Sequence, residues 1–488
     1  MKTRDPSALV LTGLFLTSLL VQCTRADTQS VPGSTENDIA TNATNNFLGH
    51  LADSRVIGGV AIVQKDGKLA FAQGFGSASE ELDVKLQDDC TFPIGSNTKF
   101  FTAVAIYQLQ EKGLLNVTDV VNSYVEPADF GLALPWCPKI HDKEQLGCQE
   151  PTIKQLLQMS SGLLPVDNLG CGTPNSTWSD ADWFWQYRSF DWDLKWGEAM
   201  GYTGNWLSGN ATHTDLLKFQ KLFDQPLLHA PGSQYCYVNS NFQLAGYIVE
   251  KVTNMSFGSY LVENIIKPAN LSNTYYWTGA LGWEPEGLHR RAVSVPAYRT
   301  TFEGGSGPAA YKKINRYPWF PGQSSTAAQA AGSMSSNAHD LLRFYNVIVT
   351  QPDVIGLSKD TVANLTEPLQ PIPGLDASFA QGIAVSDGPG KAKRLAYTGE
   401  IWGFAAQITM WVNPSDPSKS DAVVFFSNLS PAIPFGADGS CSVVSPQDGS
   451  RIDLDSRACG NENGAGMTDI LTDQLAKIWG ITGNFGSI

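Results

Sequence analysis

The chain has 488 residues, enough for two or three packed units, and its 42% hydrophobic and 16% charged content describes a globular protein with ample core. A formal net charge of −14 excludes the basic footprint that nucleic-acid binding needs. It argues equally against electrostatic docking to anionic membranes.

In chain order, Met1-Lys-Thr-Arg4 is basic, residues 9–21 are an apolar run too short to span a bilayer comfortably, and small and polar residues follow to Ala26. Residues 1–26 read as a secretory signal cut after Cys23 or Ala26, with a signal anchor as the alternative. The expectation is a secreted protein with no membrane anchor after cleavage. Residues 27–45 are polar and small and read as a loose leader. Residues 58–64 and 69–74 read as two strands joined by the turn Lys65-Asp-Gly-Lys68. Helical spacing follows Ser96, with Gly113 as its stop. Residues 115–325 are loop-rich, with helical pieces at 152–158 and 241–252. Residues 340–349 form another helix, with Ser335 or Ser336 as cap. Residues 403–413 and 421–427 alternate like paired strands, and 467–479 is an amphipathic helix before a tail at 481–488 that is no lipid-anchor signal. The expected architecture is α/β (α+β). One antiparallel sheet is built from the N- and C-terminal segments and flanked by helices, residues 46–480 form one catalytic domain, and a mostly helical subdomain is inserted at about 115–325.

Of the eight cysteines, Cys23 lies in the signal, leaving Cys90, Cys137, Cys148, Cys171, Cys236, Cys441 and Cys459. An oxidising compartment pairs several. Loop proximity favours Cys441 with Cys459 and Cys137 with Cys148 or Cys171, and an odd count leaves one thiol over. Asn-x-Ser/Thr sites at Asn42, Asn116, Asn175, Asn210, Asn254, Asn270, Asn364 and Asn428 would carry glycans in a secreted eukaryotic protein.

Chemistry concentrates in three short stretches. Ser96 and Lys99 make the only Ser-x-x-Lys, and on a helix positions i and i+3 share a face, so the amine reaches the hydroxyl. A serine is a poor nucleophile until a base removes its proton. The first turn of a helix also favours developing negative charge. Tyr237-Val-Asn239 is the only Tyr-x-Asn; its phenol can shuttle a proton and its amide can orient substrate. Tyr397-Thr-Gly399 enters the strand at 403–413, where a backbone N–H beside a glycine suits an oxyanion. Tyr202-Thr-Gly204 repeats that tripeptide, and order along the chain selects the later copy.

In this order, the three motifs resemble the serine β-lactamase and penicillin-binding-protein superfamily, in its class C-like branch of esterases, D-amino-acid peptidases, acyltransferases and lactamases. Residues 152–164 and Ala331-Gly-Ser-Met-Ser-Ser-Asn-Ala-His-Asp340 match that branch in character. The resemblance implies that Ser96 is the acylated nucleophile, that Lys99 activates it and that Tyr237 is general base or acid. Asn239 would position substrate, Thr398 and Gly399 would shape the strand beside it, and the backbone N–H groups of Ser96 and Glu400 would hold the oxyanion. Which of Lys99 and Tyr237 takes the first proton stays open. Relatives acting on β-lactams or peptides carry Lys or His where this chain has Tyr397, and a neutral phenol supplies no charge for a substrate carboxylate. Hydrolysis of a neutral ester or of an amide is expected over lactamase activity, on a small-molecule or peptide acyl substrate. Acyl transfer, or a degenerate secreted binding glycoprotein, are the alternatives. The resemblance implies no metal or organic cofactor, and the histidines lack metal-site spacing. There is no Gly-x-Ser-x-Gly elbow. Oligomeric state is not set by the sequence. Trp178, Trp183, Trp185, Trp192, Trp196 and Trp206 crowd one segment; they fit an aryl-lined cleft, but the core of the helical insertion is the simpler reading.

Overall fold

The computed structural model describes residues 35–53, 58–79, 84–132, 136–140, 147–163, 212–219, 222–224, 226–276, 297–302, 314–319, 328–401, 404–430, 442–444, 451–453 and 464–481. The signal at 1–26, the tryptophan-rich segment, Cys171, Cys441 and Cys459 lie outside them.

The first element corrects an expectation. Helix α1 (Thr35–Asp53) occupies much of the stretch read as a loose leader, and it buries Ala40, Phe47, Leu48 and Leu51. Strand β1 (Gly58–Lys65) and β2 (Lys68–Ser79) form the expected hairpin. Asp66 and Gly67 both take positive φ (48° and 74°), the pairing a tight hairpin turn demands. A Cβ on Gly67 would fall 1.8 Å from the Ser418 carbonyl oxygen, so the turn accepts only glycine there. Short strands β3 (Val84–Lys85) and β4 (Phe92–Pro93) lead through a single 3-10 turn (Gly95–Asn97) into α2 (Thr98–Glu111).

Downstream lie α3 (Ile153–Leu157), α4 (Asn239–Thr253), β5 (Tyr275–Tyr276), β6 (Ala297–Phe302), β7 (Ile314–Trp319), β8 (Met334–Ser336) and α5 (Ala338–Thr350). Thr152 and Gln155 close a capping box over α3. The cap of α5 is Asn337, whose Oδ1 accepts the Asp340 N–H at 2.8 Å; Ser335 and Ser336 instead belong to β8. The chain then returns through β9 (Gln370–Pro371), β10 (Ser378–Phe379), β11 (Ala384–Asp387), β12 (Lys393–Ile401), β13 (Phe404–Val412), β14 (Asp421–Ser427) and α6 (Gly464–Ile478).

One nine-stranded sheet runs β3-β2-β1-β14-β13-β12-β11-β10-β9, and every pairing in it is antiparallel. Strands from the two ends of the chain meet at β1 and β14, in register Val60↔Phe426 and Ile62↔Val424. This is the expected architecture. Both faces are covered, so the inner strands are apolar at every parity. Val60, Ile62, Ala406, Ile408, Val424 and Phe426 face the core shared with α2, α4 and α5. Ala61, Val63, Phe71, Phe75, Trp411, Val423 and Phe425 face the core shared with α1 and α6. Tyr397-Thr-Gly399 lies inside β12 itself, not at the entry to the next strand. It pairs with β13, while β11 covers only residues 393–396, so residues 397–401 run on beyond β11.

Among the described residues, Cys137 and Cys148 form a disulfide and no cysteine is free, so the odd thiol expected from the count is not among them. Cys90 and Cys236 are disulfide-bonded as well. Asn428 is fully buried, its Nδ2 donating to the Ser77 carbonyl at 3.0 Å, so this sequon is not presented at the surface of the folded chain. Asn42, Asn116, Asn254, Asn270 and Asn364 are exposed.

Candidate active site

The turn before α2 fixes the serine. Gly95 takes φ +48°, and a Cβ there would sit 2.9 Å from both the backbone N and O of Glu400. The Thr98 hydroxyl donates to the Gly95 carbonyl at 2.7 Å and accepts the Met334 N–H at 3.1 Å. The Asn97 side chain donates to the Ile94 and Ala406 carbonyls at 3.2 and 3.0 Å. The nucleophile turn is thus bound to β8, β12 and β13 before any substrate arrives.

Ser96, half-buried, carries two polar neighbours on its Oγ: Lys99 Nζ at 2.8 Å and Tyr237 OH at 2.7 Å. Lys99 is completely buried. Its ammonium also donates to the Ala331 carbonyl at 2.8 Å and stands 4.9 Å from the centre of the Tyr237 ring. A buried ammonium is tolerated only when it is surrounded by acceptors and π faces in this way. If both neighbours donate, the serine oxygen has no partner to take its proton. Reversing either one makes that group the base.

Glycine sets the distance between strand and serine. A Cβ on Gly399 would lie 1.9 Å from the Ile94 carbonyl oxygen, so only glycine lets β12 close on the turn. That approach brings the backbone of Glu400 against Gly95, the residue before Ser96, where two N–H groups can converge on one oxyanion. The Thr398 hydroxyl is hydrogen-bonded to Gln407 on the neighbouring strand, so its contribution is to the strand. Asn239 opens α4, two residues past Tyr237, and is half-buried.

Tyr397 is buried against Phe379, ring centres 5.8 Å apart, and Phe379 in turn meets Tyr235 at 5.6 Å. Its hydroxyl is enclosed, with the Tyr237 phenol beside it. Burial first, then the nearby Tyr237 phenol, hold its ionisation well above the usual phenol range. It stands as a neutral group at any physiological pH. Among the described residues no cluster of three His, Cys, Asp or Glu could hold a metal ion.

The structure therefore brings Ser96, Lys99 and Tyr237 into direct contact and places Gly399 and the Glu400 backbone beside them. Sequence reasoning missed the Ala331 carbonyl and Gly95, because a backbone acceptor and a positive φ leave no side-chain signature. The stretch around Ala331 was singled out only for its resemblance.

The family model for Beta-lactamase matches residues 43–440. The chain belongs to the β-lactamase family. Within that family it is 24% identical over 378 residues to penicillin-binding protein 4* of Bacillus subtilis, covering 78% of this chain and 69% of that one. It is 26% identical over 257 residues to the flp protein of Staphylococcus aureus, a match to 51% of this chain that spans only 42% of that protein's length. Two solved structures share the fold. The octameric penicillin-binding protein homologue of Pyrococcus abyssi gives a TM-score of 0.58 at 20% identity, over 80% of this chain and 73% of that one. A D-stereospecific amidohydrolase of Streptomyces gives 0.54 at 22% identity, over 78% and 94%. The fold and the superfamily implied by the three motifs are thus those of a β-lactamase-family chain.

Proposed function

We propose that this protein is a secreted serine hydrolase that works through an acyl-enzyme on Ser96. The observation that carries this reading is the serine oxygen held 2.8 Å from a buried lysine amine and 2.7 Å from a phenol. In the first step Oγ bonds to the substrate carbonyl carbon as its proton passes to Lys99 or Tyr237. The carbon–leaving-group bond then breaks, and the leaving group takes the proton through Tyr237. Water repeats the sequence on the acyl-enzyme and releases the acid. The Ser96 and Glu400 N–H groups hold the oxyanion in both steps.

The substrate class proposed is a neutral ester or an amide, because the buried Tyr397 offers no cation to a carboxylate. The contact among Ser96, Lys99 and Tyr237 speaks against a module that keeps the fold only for binding. The apolar run at 9–21 and the bonded state of Cys90, Cys137, Cys148 and Cys236 support passage through an oxidising compartment.

The test uses the purified mature chain. A fluorophosphonate probe should label Ser96, Ser96→Ala should take no label, and a p-nitrophenyl ester should turn over faster than nitrocefin. Label retained by Ser96→Ala would move the nucleophile elsewhere, and nitrocefin as the best substrate would overturn the neutral-substrate reading.

A further inference from the structure

Met159 follows α3 with φ +59°, a left-handed conformation that disfavours a side chain and that glycine or asparagine fills far more readily. Its side chain is completely buried. Both residues flanking Tyr237 are tied to it. The Cys236 N–H donates to the Met159 carbonyl at 2.7 Å, and the Val238 N–H reaches the thioether sulfur at 3.4 Å. The same sulfur takes the Asn241 Nδ2–H at 3.5 Å. Asn241 Oδ1 in turn accepts from the Ser161 hydroxyl at 2.6 Å.

The turn that holds Met159 grips the Tyr237 segment at further points. The Ser160 carbonyl takes the Gly232 N–H at 2.7 Å, and the Gly162 carbonyl takes the Leu228 N–H at 2.6 Å. On its other side the Leu157 carbonyl takes the Gly382 N–H at 3.0 Å, and Gly382 sits so close to the Lys99 carbonyl that a Cβ would meet it at 2.7 Å. One short turn therefore touches the supports of both groups that bond Ser96.

We propose that Met159 is a positioning residue that sets the Tyr237 phenol at its distance from Ser96, its carbonyl and its thioether bracketing the peptide on either side of the tyrosine. The inference rests on the acyl-enzyme reading above. A glycine at this position would satisfy the backbone better and would remove the sulfur, so the turn geometry alone does not account for a methionine. The sulfur is a weak but polarizable acceptor. It leaves Val238 a long hydrogen bond and still spares two enclosed N–H groups from going unpaired. Reaction rates depend steeply on such placement, because displacing a reacting group by a fraction of its contact distance removes most of its effect.

The experiment compares Met159→Leu, which keeps the volume without an acceptor, with Met159→Gln, whose Oε1 restores one. Both are judged on p-nitrophenyl ester turnover, on the rate of fluorophosphonate labelling of Ser96, and on thermal midpoint. The expected result is a folded leucine variant with kcat and labelling rate down about tenfold and KM within about twofold, and a glutamine variant recovering to within about threefold of wild type. A folded leucine variant with wild-type kcat overturns the inference, as does an equal loss in the glutamine variant. If the leucine variant does not fold, the glutamine variant decides alone. Recovery to within threefold supports the role, and a folded glutamine variant slowed tenfold refutes it. A wild-type chain that takes no label at Ser96 is a separate result: it removes the acyl-enzyme reading first, and the positioning role with it.

Discussion

The proposed preference for neutral substrates rests on Tyr397. It sits on β12 opposite Ile408, on the face that looks toward α2, and is buried among Phe379, Tyr235 and Tyr237. A neutral phenol fits these aromatic surroundings and leaves a substrate carboxylate without a cationic partner. Tyr397→His should therefore raise the ratio of kcat/KM for an ester bearing a carboxylate over its neutral counterpart, by about tenfold if one charge pair forms. The pair of esters, assayed at one ionic strength, gives the answer, and an unchanged ratio would mean that position 397 does not read substrate charge. Histidine's smaller ring also leaves space beside Phe379, so a modest loss of stability is expected as well.

At the scale of elements, α4 joins the site to a contact between the buried His213 and the half-buried Glu250. It begins at Asn239, just after Tyr237, and carries Glu250 near its far end, where Oε2 lies 3.2 Å from His213 Nδ1 and Oε1 accepts the Phe257 N–H at 2.9 Å. Burial alone would raise the Glu250 pKa, but the charge and hydrogen bond of His213 and the Phe257 N–H outweigh it and hold it below the ordinary carboxylate range. A folded-state pKa depressed in this way stabilises the protein above the unfolded value of about 4.3, and the contribution fades as pH falls through the folded one. Glu250→Gln should lower the thermal midpoint by a few degrees at pH 6, and the difference from wild type should narrow as pH falls below the ordinary carboxylate range. A gap that stays constant with pH would show that the charge is not the source. The same elements show what sequence can reveal. The Ser96–Lys99 spacing, the Tyr237 motif and the long strands were legible because each is written in side-chain chemistry or strict alternation. The strand β12 was not, since it begins Lys393-Arg394, and Arg394 is nonetheless buried, with Asp473 of α6 3.6 Å away. Helix α1 was hidden by its threonines and asparagines, with its large buried side chains Phe47, Leu48 and Leu51 gathered at the C-terminal end and Ile39 left exposed. Met159 lies in the stretch 152–164 that the resemblance picks out, but nothing in its side chain marks a role at the site.

Over the whole molecule, two cores among the described residues share one sheet, and the one that holds Lys99's helix also adjoins Ser96. The other is clasped by α1 and α6. Trp479 packs 6.1 Å from Phe71, and its indole N–H donates to the Thr44 hydroxyl at 2.9 Å. Trp479→Ala should cost about 3–5 kcal/mol in denaturant unfolding and leave kcat at 25 °C within about twofold, because the loss falls on the far face of the sheet. A large drop in kcat without a drop in stability would join the two faces in a way the packing does not. Because β1 lies between β2 and β14, with Gly59 opposite Ser427, the sheet closes only when the last strand arrives. On the ribosome, Ser96 and its lysine emerge long before Glu400 does. Tyr237 follows in between, but until Glu400 arrives the hydroxyl lacks one of the two N–H groups of the proposed oxyanion site, and a polypeptide ending before β12 is expected to take no fluorophosphonate label at Ser96. Under the proposed mechanism, the order of synthesis itself times the appearance of reactivity.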